Sequence, residues 1–136
     1  MRKLIRSLRA FWQRGTRGWA DEDVWDFNGY MTRVLGQGIA RLMKDKSGFP
    51  VSFLTDNGFE RETPSDKDWE TLDAQWRDTL NQMVRGFAAR ALLNDNATWQ
   101  FVNDKLVHDE ALEAKLVAER DKGMELFVKY FDALWD

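Results

Sequence analysis

Residues 63–93 read TPSDKDWETLDAQWRDTLNQMVRGFAARALL, and the fold class turns on them. Trp69, Leu72, Trp76, Leu80, Met83, Phe87 and Leu92 recur at spacings near 3.6, the repeat of a helix and not the alternation of a strand. Thr63 can cap such a helix. Pro64 suits its first position, where a missing N–H costs nothing, and Asp66 meets the positive end of the dipole. The signal runs to about Leu93, and Asn94-Asp95-Asn96 breaks it.

Working outward, the same period returns on both sides. Upstream, Asp21, Glu22 and Asp23 open a second helix with caps and negative charge. Val24, Phe27, Met31, Val34, Leu35, Leu42 and Met43 continue it to Lys44, with Ile39 beside them, and Gly48-Phe49-Pro50 stops it. Gly29, Gly36 and Gly38 inside it suggest close helix approach or a kink. Downstream, a helix from near Asp109 to the C-terminus carries a seam of Leu112, Leu116, Gly123, Phe127, Tyr130 and Leu134, widened by Val117, Met124, Phe131 and Trp135. Between these, residues 51–62 read as a packed loop, and Thr98–Val107 as a short helical turn. The expected core sets Trp69, Leu72, Trp76, Leu80, Met83 and Phe87 against Phe27, Met31, Val34, Leu35 and Leu42.

The N-terminus has its own amphipathic helix, from about Arg2 to Arg14. Leu4, Ile5, Leu8, Phe11 and Trp12 form one stripe, with Lys3, Arg6, Arg9, Gln13 and Arg14 off it. Gly15 and Gly18 read as a flexible joint after it. The chain is therefore expected to be all-α: a bundle of three long helices plus an N-terminal basic amphipathic helix, with residues 1–18 as an arm and 19–136 as one helical domain.

Composition narrows the function classes. The 136 residues include one His and no Cys, so disulfide scaffolds, cysteine metal sites and thiol chemistry are excluded. No apolar run approaches the roughly 20 residues of a membrane span, and the N-terminus lacks the apolar stretch of a secretory signal. No glycine-rich phosphate loop or nucleophile elbow is present. His108 has Asp104, Asp109 and Glu110 nearby, but reads as a polar helix-start residue. Asp21, Glu22, Asp23 and Asp26 read as a solvated helix start, without the spacing of a calcium loop. No enzyme, metal or cofactor is expected. The seven tryptophans mostly lie on or beside the stripes, which suits core packing; Trp12 and Trp19 are the best candidates for interface hot spots.

Charge is unevenly placed. Residues 1–20 hold six basic side chains and no acid, while residues 21–136 hold 14 basic and 23 acidic ones, a net of −9. The candidate partner-binding residues are Arg6, Arg9, Trp12, Arg14, Arg17 and Trp19. Three readings of the arm stay open: its stripe packs on the body, it docks on a protein partner or a second copy, or it meets nucleic acid or membrane. The acidic remainder argues against a broad nucleic-acid footprint.

Four stretches carry a resemblance: Val24-Trp25-Asp26-Phe27; Gly48-Phe49-Pro50; Trp76 with Leu80, Met83, Gly86 and Phe87; and Leu126-Phe127-Val128-Lys129-Tyr130-Phe131 closed by Leu134-Trp135-Asp136. Together they resemble a family of small bacteriophage proteins with no established activity. That family usually has Gly-Tyr-Pro where this chain has Phe49, and the basic helix is not part of its pattern. The resemblance implies a viral origin and names no catalytic residue. The expectation is a non-enzymatic phage protein acting by protein–protein contact in the host cytoplasm or on the virion, as an accessory (including anti-defence) factor or a virion-associated component. It would bind a host or phage protein and could form a homo-oligomer. The alternative is a nucleic-acid-binding protein that uses the basic helix.

Overall fold

The computed structural model describes residues 2–59 and 63–134. Among these the chain is all-α apart from one hairpin. The order is α1 (Arg2–Arg17), a 3₁₀ segment (Asp21–Asp26), α2 (Phe27–Asp45), α3 (Val51–Asp56), α4 (Asp66–Asn94), β1 (Trp99–Val102), β2 (Lys105–His108), α5 (Glu110–Lys129) and a 3₁₀ turn (Phe131–Ala133). Trp135 and Asp136, the last part of the expected seam and of the resemblance, lie outside the described residues.

The long central helix α4 forms because its ends are satisfied as well as its apolar face. Ser65, not Thr63, is its cap: the Ser65 and Asp68 side chains each accept from the other's backbone N–H. At its far end Asn96 turns left-handed, so the amides of Asn96 and Ala97 reach the carbonyls of Leu93 and Leu92 at 3.2 and 3.0 Å. Leu72, Trp76, Leu80, Met83 and Phe87 are buried, as the spacing requires. Trp69 is half-exposed, lying 4.9 Å centroid to centroid from Phe49.

α2 meets α4 with Leu35, Ile39, Leu42 and Met43. Phe27 and Val34, expected in the core, are exposed. They sit roughly 100° round the helix from the face that α4 takes. Met31 borders a groove beside Phe87. Gly36 lets Phe87 approach and Gly29 makes room for the capping carboxylate of Asp26, but Gly38 faces open space. α4 and α5 cross at Gly86 and Gly123: a β-carbon on Gly86 would stand 2.6 Å from the Gly123 Cα.

The helix expected from Asp21 is a 3₁₀ segment up to Asp26, whose non-helical backbone caps α2 at Phe27. Two further segments depart from their sequence reading. Residues 51–56 are a short helix, α3, that Pro50 precedes and Gly58 closes in the left-handed region. It brings Phe53 into the core against Trp76 and Tyr130, 5.2 and 5.8 Å away. The Tyr130 hydroxyl donates to Asp56, and Lys129 pairs with the same carboxylate, tying the end of α5 to α3. Residues 99–108 form an antiparallel hairpin and no helical turn. Asn103 and Asp104 both take positive φ, the two-residue turn whose twist suits paired strands. Accordingly His108 ends a strand; it stacks on Trp99 and its ring nitrogen meets Glu113 at 2.7 Å.

Among the described residues only Trp76 of the tryptophans is buried; Trp12, Trp19, Trp25, Trp69 and Trp99 are exposed. Core packing therefore explains one of the six described tryptophans.

Candidate functional site

α1 is mounted inside out. Arg6, Arg9, Ala10, Gln13, Arg14 and Arg17 share one side of the helix; Ala10 faces the protein at its centre, and the Arg6 and Arg9 side chains lie at its rim, 77% and 73% exposed. Small Ala10, 4% exposed, lets the helix axis come close, and Ala20 beyond the turn is fully buried. The charged side chains around them reach the 3₁₀ segment. Arg6 pairs with Glu22 at 2.9 Å, and Arg9 with Asp21 at 3.1 Å. Gln13 donates to Asp21 at 2.7 Å and accepts from its backbone N–H at 3.0 Å. Arg14 grips Asp23 with two nitrogens, at 2.9 and 2.5 Å, and Glu22 at 3.3 Å. Arg17 pairs with Asp21, donates to the Trp19 carbonyl and lies 3.9 Å over the Trp19 ring.

The turn that permits this is built by Gly18. Its φ of +82° ends α1, its amide bonds the Arg14 carbonyl at 3.0 Å, and its carbonyl accepts from the Tyr30 hydroxyl at 2.5 Å. Gly15, read as part of a joint, lies inside α1. Asp23 is the anchor: its carboxylate is buried and also accepts from the Ala20 N–H at 2.7 Å. The Arg14 hydrogen bonds hold the Asp23 carboxyl below its ordinary pKa, and Asp23 in turn raises that of Arg14. Asp21 is likewise lowered, first by Arg17 and then by Gln13. Of the acids read as a solvated helix start, Asp21, Glu22 and Asp23 are thus the in-chain counter-ions of the arm, while Asp26 does cap a helix, accepting from the Gly29 N–H at the start of α2.

The opposite side of α1 carries Leu4, Ile5, Leu8, Phe11 and Trp12, all 60–77% exposed. The stripe does not pack on the body; the helix spends its polar side there. The structure therefore divides the candidate residues. It brings Arg6, Arg9, Arg14, Arg17 and Trp19 into the seam with the 3₁₀ segment and leaves Trp12 facing outward. Leu8 and Phe11 stand beside Trp12 in the outward patch, although the candidate set did not include them. The signal for this was present: Ala10 is the one small residue midway along the basic side, and three acids follow a glycine turn. Five large apolar side chains thus lie together on one exposed helix face.

Chemistry elsewhere is sparse. Among the described residues no three His, Cys, Asp or Glu side chains gather as metal ligands do, and no helix is long and apolar enough to cross a membrane. No family model matches the chain, and no curated protein or solved structure matches it either.

Proposed function

We propose that this is a non-enzymatic phage protein that works by protein–protein contact through the outward stripe of α1. One observation carries the reading: five large apolar side chains are held on one exposed helix face by a seam of ion pairs on the other. A helix of about 16 residues is marginal alone, so fixing it with its apolar side outward is useful only if that side is used. The phage origin rests on the resemblance of residues 24–136 described above. The nucleic-acid alternative is weakened because Arg6, Arg9, Arg14 and Arg17, the charges it needs, each face a carboxylate. The site of action is then the host cytoplasm, or the virion if the partner is a structural protein.

The test is purification of the tagged full chain from infected cells, with and without nuclease, beside Leu8→Glu. The expected result is a protein that co-purifies with wild type in both conditions and is lost with the variant. Co-purification that nuclease abolishes refutes the reading. Mass spectrometry of purified particles separates an accessory factor from a virion component.

A further inference from the structure

We infer that the stripe's occupant is a second copy of this chain, with two α1 helices packed antiparallel about a two-fold axis at Leu8. This rests on the protein-contact reading above and makes it specific. The first argument is spacing. Ile5 and Phe11 lie three residues either side of Leu8, and Leu4 and Trp12 lie four. A two-fold contact needs a self-complementary patch, and this stripe is symmetric about its midpoint. It is also graded in size, with branched aliphatic residues before Leu8 and aromatics after it. Antiparallel pairing sets small against large along the whole contact, with Leu8 against the partner's Leu8. Parallel pairing would set Trp12 against the partner's Trp12 and leave a gap at Leu4.

The second argument is charge. Two helices of this basic composition would repel if their arginines were free. Here Arg6, Arg9, Arg14 and Arg17 each pair with Asp21, Glu22 or Asp23 of their own chain, which offsets three of their four charges. What remains is one arginine charge and the N-terminal end with Arg2 and Lys3. In an antiparallel pair the two ends lie about 20 Å apart at 1.5 Å per residue, well beyond a Debye length of about 8 Å. The same pairing weakens the attraction for an anionic membrane, and the chain as a whole, at a net charge of −3, is repelled by one. The third argument is size. Five side chains exposed by 60–77%, at about 150–250 Å² for each aromatic, offer on the order of 600–700 Å² per copy, close to the about 800 Å² of a standard interface.

The test is sedimentation velocity of the full chain over a dilution series to about 100 µM, with Leu8→Glu and Leu8→Met alongside. Wild type and Leu8→Met are expected to form a concentration-dependent dimer. Leu8→Glu, which leaves the body untouched and should keep its circular dichroism, is expected to weaken the dimer at least about a hundredfold, because two carboxylates would meet unpaired at the axis. A monomeric wild type, or a dimer that Leu8→Glu leaves intact, overturns the inference. If wild type is monomeric while Leu8→Glu still loses a co-purifying protein, the occupant is a different protein and the broader reading stands. If wild type instead sediments with phosphatidylglycerol vesicles and Leu8→Glu does not, both readings fall.

Discussion

Replacing Gly86 by alanine tests the helix crossing on which the body depends. The new β-carbon would stand 2.6 Å from the Gly123 Cα and 3.1 Å from the Glu119 carbonyl oxygen. Carbon atoms in good contact sit about 3.5–4.0 Å apart, so α4 and α5 would have to part by about 1 Å. Overpacking of this kind costs about 1–3 kcal/mol. Both opposing atoms are backbone, so no side chain can rotate aside, and the upper part of that range applies. Alanine in a helix returns up to about 1 kcal/mol, which leaves a net loss of about 1–2 kcal/mol. Gly38→Ala is the internal control. Nothing lies within 4 Å of its β-carbon, so only the helix gain of about 0.5–1 kcal/mol remains. The two substitutions are chemically identical and should move stability in opposite directions. Urea unfolding followed at 222 nm reads both, with equal m values required for the comparison. A Gly86→Ala protein as stable as wild type would show that α4 and α5 do not cross at this point.

Other expectations follow from the core and its charges. Trp76→Ala should cost about 3–5 kcal/mol in the same melts, since the ring is 3% exposed and packs against Phe53 and Tyr130. Asp73→Ala should cost about 2–3 kcal/mol. It leaves the buried Lys46 ammonium with the Gly48 carbonyl as its hydrogen-bond partner among the described residues, and partial exposure of Asp73 trims the full penalty of an unpaired buried charge. Burial pushes the Asp73 carboxyl up, but Lys46 and Arg77 hold it below its ordinary value, and Asp21, Asp23, Asp56 and Asp68 are lowered by their donors. A lowered folded pKa contributes stability above the unfolded value and loses it as pH falls through the folded one. Thermal stability should therefore hold down to about pH 4 and fall below it; a loss that begins near pH 6 would contradict these assignments.

The long helices were legible because each repeats apolar residues at helical spacing over many turns and ends in a recognisable stop. The hairpin was not. Trp99–Val102 and Leu106–Val107 are too short to display alternation, and Asn103-Asp104 lacks the glycine that usually marks such a turn. α3 was hidden for a related reason: six residues show less than two turns of period, and Phe53 gains its core position from Trp76 and Tyr130, distant in sequence. At the site the sequence does not separate the basic residues from Trp12, because periodicity says which residues share a face and not which face turns inward. That choice is made by Ala10, which lets the helix approach, and by Asp21, Glu22 and Asp23, which bond side chains 8 to 16 residues away. A hydrophobic stripe ordinarily decides the matter; here the bidentate Arg14–Asp23 pair and its neighbours oppose it.

The central claim is that the apolar side of α1 faces out and is where this protein meets another protein. Site-specific photo-crosslinking in infected cells tests it directly, with a benzophenone side chain placed at Phe11 and, for comparison, at Gln13 on the inward side. The expected result is a discrete protein adduct from position 11, whether with a second copy or another chain, and none from position 13. Adducts from position 13 alone, or adducts from position 11 that consist of nucleic acid or lipid, would contradict it.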